Sequence, residues 1–183
     1  MAQPPPSKKT KKYNPQSQAP SLPATTQPTL PGTTQPSLRG RALRLLGRRE
    51  FSRQELAKRL RSYTEEPAAL EALLDDLAAR GWLSDTRYAD ALVRKRTGHY
   101  AQRSIAQELK RAGVSEDVTA TALPSVDPDE EFAAALALCQ RKFRRAPTEQ
   151  KEKARQLRFL QSRGYGFGLA LRVIKQLALA ELE

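Results

Sequence analysis

The spacing of apolar residues in the middle of the chain predicts three consecutive short helices. Between Trp82 and Leu123 the apolar positions recur every three or four residues, as they do on one face of an α-helix. Ser84 and Ser115 are suited to cap the starts of helices, and Gly113 permits the left-handed turn that ends one. This three-helix unit is the best-defined part of the sequence.

The same unit recurs on both sides at a period of about fifty residues. Upstream, Leu56 and Leu60 correspond to Ile105 and Leu109 of the middle unit. Downstream, residues 157–174 repeat the order of apolar stripe, glycine and following helix. Stacked units of this kind bury their apolar stripes between neighbours. We therefore predict an all-α fold of three tandem three-helix repeats in an elongated, curved arrangement.

Helix-start signals place the boundaries of the outer repeats. Ser52 to Glu55 has the pattern of a capping box, and Pro67 opens a longer helix. Asp127 and Pro128 combine a capping residue with a proline at the first helical position. The predicted repeats are residues 38–83, 84–126 and 127–183.

Residues 1–37 differ in composition from the rest of the chain. They contain nine of the thirteen prolines, no acidic residue and four lysines, which are Lys8, Lys9, Lys11 and Lys12. A segment with so little apolar surface cannot offset the entropy cost of becoming ordered. We predict a disordered arm, which is either an inert extension or a flexible attachment with weak affinity for phosphates.

The stretch GWLSDTRYADALVRKR, followed by RSIAQELKRAGVSED, resembles the RecX family of small bacterial regulators of the RecA recombinase. The resemblance covers residues 38–177. It implies a cytosolic protein of three-helix repeats that binds the RecA filament on single-stranded DNA and inhibits ATP turnover and strand exchange. Two features depart from the family pattern. Residues 62–64 stand where the other repeats have glycine, and residues 1–37 lie outside the family's core.

The residues present disfavour several classes of protein. The one cysteine, Cys139, lies on an apolar stripe, so we predict a buried thiol. The one histidine, His99, has no identifiable nucleophile or orienting partner. The sequence shows no phosphate-binding loop, metal-ligand spacing, membrane span or signal peptide. We therefore predict a cytoplasmic protein without catalytic residues, cofactor or metal site.

Positive charge is the main functional signal. The formal net charge is +12, and the four lysines of the arm leave +8 on the remaining residues. A surplus of this size favours a polyanionic partner. One basic cluster contains Arg41, Arg44, Arg48 and Arg49. The candidate partner-binding and nucleic-acid-binding residues form two others, which are Arg94, Arg96, Arg103, Lys110, Arg111, Arg141, Lys142, Arg144, Arg145, Lys151, Arg155 and Arg158.

With the resemblance, these patterns lead to one functional prediction and two alternatives. We expect a monomeric negative regulator of homologous recombination that binds the RecA filament and DNA, single-stranded and also double-stranded, without sequence preference. The first alternative is a winged-helix-like DNA-binding transcriptional regulator, because the first three helices resemble the start of that fold. Glu71, Asp75 and Asp76 argue against it, since a phosphate backbone would repel them. The second alternative is a purely structural basic adaptor.

Overall fold

The computed structural model describes residues 36–123, 125–143 and 145–180, and all regular structure within these ranges is helical. A 3₁₀ turn, Arg61–Tyr63, extends the second helix. The all-α prediction is confirmed, whereas the predicted arm lies outside the described residues up to position 35. The described α-helices are Leu38–Leu46 (α1), Arg53–Leu60 (α2), Pro67–Ala79 (α3), Asp85–Arg96 (α4), Gln102–Arg111 (α5), Glu116–Ala122 (α6), Pro128–Lys142 (α7), Gln150–Ser162 (α8) and Phe167–Ala180 (α9).

Capping residues that are visible in the sequence begin several of these helices. The hydroxyl of Ser52 accepts a hydrogen bond of 3.1 Å from the N–H of Glu55. Ser84 and Ser115 accept in the same way from the third residue of α4 and of α6. Each cap satisfies an N–H group that the helix itself leaves unpaired. The carboxylate of Glu55 binds the guanidinium of Arg49 at 3.0 Å, so an ion pair takes the place of the second hydrogen bond of the capping box.

Two residues that composition assigns to the arm form the start of α1. The hydroxyl of Ser37 accepts a hydrogen bond of 3.1 Å from the N–H of Gly40. The guanidinium of Arg41 donates to the carbonyl of Pro36, also at 3.1 Å. The ordered body of the protein therefore begins by residue 36.

Buried side chains form three clusters, and each cluster draws on three consecutive helices. The first, between α1, α2 and α3, centres on Leu56, Leu60 and Leu74. The second, between α4, α5 and α6, centres on Ile105 and Leu109. The third lies between α7, α8 and α9 and also includes Ala101 from the start of α5, and its other buried members include Ala135, Cys139, Leu160 and Val173. No helix among the described residues is long and apolar enough to cross a membrane.

Glycines in the left-handed conformation end the middle helix of the second and third repeats. The backbone φ angle is 78° at Gly113 and 94° at Gly164. The residue after each glycine donates its N–H to a carbonyl five positions earlier, at 3.2 Å to Leu109 and 3.1 Å to Leu160. This is the Schellman arrangement, in which the backbone of the turn satisfies the last carbonyls of the helix.

Polar contacts join the middle helices of successive repeats. Ser52, the N-cap of α2, donates its hydroxyl hydrogen to the carbonyl of Ala112, the C-cap of α5, at 2.6 Å. Ala101, the N-cap of α5, donates its N–H to the carbonyl of Arg163, the C-cap of α8, at 2.8 Å. The two contacts occupy the same structural position one repeat apart. The start of α2 therefore contacts the end of α5, and the start of α5 contacts the end of α8.

Candidate nucleic-acid interface

Basic side chains surround a surface depression between the end of α7 and one face of α8. Its volume is about 560 Å³, and no acidic residue is among the described residues that line it. Arg155 and Arg158 stand three residues apart, so they share a face of α8. The depression therefore presents three cations to an anion. Its lining consists of Lys142, Phe143, Arg155, Arg158, Phe159 and Ser162.

Two aromatic rings support this basic depression. The rings of Phe143 and Phe159 meet edge to face, with centroids 5.3 Å apart and an interplanar angle of 85°. The guanidinium of Arg155 lies 5.3 Å from the centroid of the Phe143 ring. Contact with an aromatic face restricts a long basic side chain, so less conformational freedom remains to be lost on binding.

A buried glutamine fixes the loop that leads from α7 into α8. Gln156, only 2 % exposed, donates a hydrogen bond of 3.2 Å to the carbonyl of Arg145. The thiol of Cys139 donates to the side-chain oxygen of Gln156 at 3.8 Å. Cys139 is fully buried as predicted, and burial raises the pKa of its thiol to about 11. The loop beside the basic depression is therefore anchored to the core.

A second basic surface is a cleft of about 880 Å³ between α2 and α5. Its two carboxylates are already paired, because Glu55 binds Arg49 at 3.0 Å and Glu108 binds Arg96 at 2.7 Å. The four cations of the cleft have no acidic partner among the described residues and are exposed. These cations are Lys58, Arg59, Arg61 and Arg111.

Three of the four cations in this cleft were not predicted from the sequence, since only Arg111 is among the candidate residues. Residues 53–61 contain four cations against Glu55 alone, so a local surplus of positive charge was present in the sequence and was not used. A second signal was present, because Arg61 precedes Lys110 by 49 positions, about one period of the repeat. Comparing equivalent positions between repeats would have pointed to it.

Three of the predicted cations bind other parts of the chain. Arg96 forms the ion pair with Glu108, which raises the pKa of its guanidinium. Arg103 donates a hydrogen bond to the carbonyl of Gly164 in the third repeat. Arg141 donates to the carbonyl of Gly98 at 3.0 Å, and its guanidinium lies 3.4 Å from the ring of His99. These side chains brace the contacts between helices.

The remaining candidates do not converge on one site. Arg144 lies outside the described residues. Lys110 lines a separate groove between α5 and α6. The other candidates are exposed and line none of these depressions, namely Arg94, Arg145 and Lys151. The predicted set is therefore divided among several surfaces.

The acidic face of α3 is covered by arginines of its own repeat. Arg53 binds Glu71 at 2.7 Å and Asp75 at 2.8 Å. Asp76 lies 2.7 Å from Arg80 and 2.9 Å from Arg39, and hydrogen bonding to Arg80 holds the pKa of Asp76 below its usual value. Residues 80–84 lead from α3 directly into α4 without a β-strand. This part of the chain therefore shows neither a basic recognition helix nor a wing.

The described residues contain no group of three or more His, Cys, Asp or Glu side chains placed to hold a metal ion.

Residues 129–174 match the family model for the third three-helix domain of RecX, and residues 84–123 match the model for the second. The regulatory protein RecX of Leptothrix cholodnii is 41 % identical over 136 residues, which are 74 % of this chain and 86 % of that protein. RecX of Chromobacterium violaceum is 41 % identical over 125 residues, covering 68 % and 80 % of the two chains.

Two solved structures resemble the fold. The crystal structure of RecX from Lactobacillus salivarius has a TM-score of 0.59 at 17 % identity, over 78 % of this chain and 95 % of that one. A second crystal structure, of a regulatory protein RecX, also has a TM-score of 0.59, at 21 % identity over 74 % and 70 % of the two chains. At such identities the likeness concerns the fold alone.

Proposed function

Because this chain belongs to the RecX family, we propose that it is a negative regulator of homologous recombination that binds the RecA filament on single-stranded DNA and inhibits ATP turnover and strand exchange. The observation that carries the proposal is the basic depression formed by Lys142, Arg155 and Arg158. Three cations without a lining carboxylate attract a polyanion, and a nucleoprotein filament presents phosphates along its whole length.

The depression is suited to phosphate contacts more than to recognition of bases. The guanidinium of Arg155 lies over the ring of Phe143, and that of Arg163 lies over the ring of Phe159, each 5.3 Å from the ring centroid, so a face of each ring is already covered and is not open to a base. Lysine and arginine side chains that neutralise phosphates release counterions without reading base edges. Binding is therefore sequence-independent and weakens as salt is added.

A regulator with basic surfaces in several repeats restrains a filament by binding it at more than one site. The cleft between α2 and α5 adds four cations, which belong to the first two repeats, whereas the basic depression belongs to the third. Simultaneous contacts raise the effective concentration of each at its site. A ligand that spans neighbouring sites on the filament stabilises the filament conformation that it binds. ATP turnover becomes slower if it requires the filament to leave that conformation.

The proposal includes a non-enzymatic mode of action. The protein acts as a cytoplasmic monomer without cofactor or metal, through contacts with RecA and with DNA. We also propose the division into repeats 38–83, 84–126 and 127–183, which the three buried clusters support.

The experiment that tests this function is a titration of RecA ATP turnover on single-stranded DNA. We expect half-maximal inhibition at roughly one copy per ten RecA protomers or fewer, because one bound regulator restrains several protomers. Turnover without DNA provides the background. Unchanged turnover at equimolar protein would overturn the proposal. Binding of the protein to two unrelated duplex sequences is measured in parallel. A strong preference for one of them would instead support the winged-helix alternative.

A further inference from the structure

A concave surface of different chemistry lies between α5 and α6. This α5–α6 groove has a volume of about 660 Å³. It is largely apolar because Ala106, Val114, Ala120 and Leu123 line it, and small alanine side chains leave the space open. Its complete lining is Gln102, Arg103, Ala106, Gln107, Lys110, Val114, Ser115, Glu116, Thr119, Ala120 and Leu123.

The α5–α6 groove is formed by helix faces that the core uses little. Ile105 and Leu109 turn from α5 into the second buried cluster, and Val118 packs against that cluster from α6. Ala106 and Ala120, each one or two positions further along, face the groove.

Charged residues border the groove unequally. Arg103 and Lys110 stand on α5, seven residues apart, which corresponds to two helical turns or about 10 Å. The hydrogen bond from Arg103 to the carbonyl of Gly164 fixes the first of these cations. Glu116 lies on the opposite border, at the first turn of α6. The edge along α5 is therefore positive, and the floor is apolar.

We propose that the α5–α6 groove binds an acidic amphipathic helix of a partner protein. The apolar stripe of such a helix enters the groove, and carboxylates seven residues apart face Arg103 and Lys110. A helix matches this edge because its residues i and i+7 share one face and are separated by the same rise. Nucleic acid fits poorly, since Glu116 and the apolar floor offer nothing to phosphates.

This docking site lies apart from the basic depression and the cleft that carry the proposed function. Its floor residues are alanine, valine and leucine, which make no contribution to phosphate binding. A substitution on the floor can therefore block the groove while leaving the DNA-binding cations in place. Ala120 is exposed on α6 and is suited to this test.

The test uses the full chain and a fluorescent synthetic helix of about 18 residues that carries a leucine stripe and two glutamates seven apart. A matched peptide carries lysines in place of the glutamates. The chain variants are Ala120→Arg in the groove and Ala133→Arg on an exposed position of α7 as the control. Both variants add one positive charge, so general attraction to the acidic peptide is equal.

Fluorescence anisotropy should show that the protein binds the acidic peptide about tenfold more tightly than the basic one. Ala120→Arg should weaken binding of the acidic peptide about tenfold, because its side chain fills the groove, whereas Ala133→Arg should not. Equal binding by the two variants would overturn the proposal. Binding of single-stranded DNA should remain unchanged in Ala120→Arg, which separates this result from a failure of the proposed function.

A second variant tests the charge preference and also serves if Ala120→Arg lowers helicity. Ala106→Glu places a carboxylate between Arg103 and Lys110, so the preference should shift from the acidic peptide to the basic one. An unchanged preference would contradict the proposal.

Sedimentation equilibrium tests a second copy of this chain as the occupant of the groove. If the unmodified protein forms a dimer and Ala120→Arg dissociates it, the groove is a contact between two copies and the proposal of an acidic partner helix is overturned.

Discussion

The hydroxyl of Ser52 donates a hydrogen bond of 2.6 Å to the carbonyl of Ala112, sixty residues further along the chain. The same hydroxyl accepts from the N–H of Glu55, so one side chain caps α2 and binds the end of α5. The N–H of Ala101 makes the equivalent contact with Arg163. Neighbouring repeats are thus coupled by directional polar contacts, and such nearest-neighbour coupling makes repeats unfold together.

We expect Ser52→Ala to lower the free energy of unfolding by about 2–3 kcal/mol, because it removes a helix cap and leaves the Ala112 carbonyl unpaired in a buried position. Chemical denaturation followed by circular dichroism measures the loss. Ser115→Ala is the control, since the hydroxyl of Ser115 caps α6 at an exposed position and makes no other hydrogen bond within the described part of the chain. Equal losses in the two variants would show that the contact with Ala112 adds no stability.

The glycine turns give a second test of the contact between repeats. Gly98 and Gly164 both have a positive φ angle, 75° and 94°. An added Cβ would meet nothing within 4 Å at Gly98, but at Gly164 it would lie 2.6 Å from the Cβ of Ser104. Gly98→Ala should cost about 1 kcal/mol from backbone conformation, and Gly164→Ala about 1–3 kcal/mol more. Thermal and chemical unfolding measure both losses of stability. Equal losses in the two variants would contradict the close contact between Gly164 and Ser104.

The second buried cluster depends on Leu109, which is 0 % exposed. Leu109→Ala should reduce the free energy of unfolding by about 2–5 kcal/mol through lost contacts and a residual cavity. Leu179, which is half exposed on α9, provides the control, and Leu179→Ala should have an effect of about 0.5 kcal/mol or less. A loss that small for Leu109→Ala would contradict its place in the core.

The buried thiol predicts a dependence of stability on pH. The pKa of Cys139 is raised to about 11 from an ordinary value of 9.0. Between these values the unfolded chain has released the thiol proton while the native protein keeps it, so native stability falls as pH rises. Compared with the Cys139→Ala variant, the unmodified protein should lose about 2 kcal/mol more of its free energy of unfolding between pH 9 and 11. Parallel stability curves for the two proteins would contradict this account.

Features of the fold that depend on short stretches of sequence were predictable. Ser52, Ser84 and Asp127 begin helices because the groups that they cap lie within three residues. Gly113 ends α5 for an equally local reason, its tolerance of a positive φ angle. The burial of Cys139 follows from its position on an apolar stripe.

Contacts between distant segments were not predictable in the same way. Arg103 and Arg141 bind backbone carbonyls, and any residue can supply a carbonyl, so the sequence carries no sign of the partner. The cleft between α2 and α5 combines Lys58 with Arg111, which no local count of charge brings together. The pairing of Arg53 with Glu71 likewise depends on how α2 packs against α3.

The proposed function requires that the basic depression of the third repeat contacts the filament. A triple variant with Lys142→Glu, Arg155→Glu and Arg158→Glu replaces attraction by repulsion at exposed positions and leaves the buried cluster around Leu160 intact. The control reverses three exposed cations that line neither basic surface and belong to none of the candidate residues, with Lys153→Glu, Arg172→Glu and Lys175→Glu. The two variants have the same net charge, and circular dichroism verifies their folding.

The most direct measurement is the concentration of each variant that halves RecA ATP turnover on single-stranded DNA. We predict an increase of about tenfold or more for the variant of the basic depression, because phosphate contacts are lost at a defined site, and about twofold for the control. Equal increases would mean that only net charge matters. An unchanged value for the folded variant of the depression would contradict the claim directly.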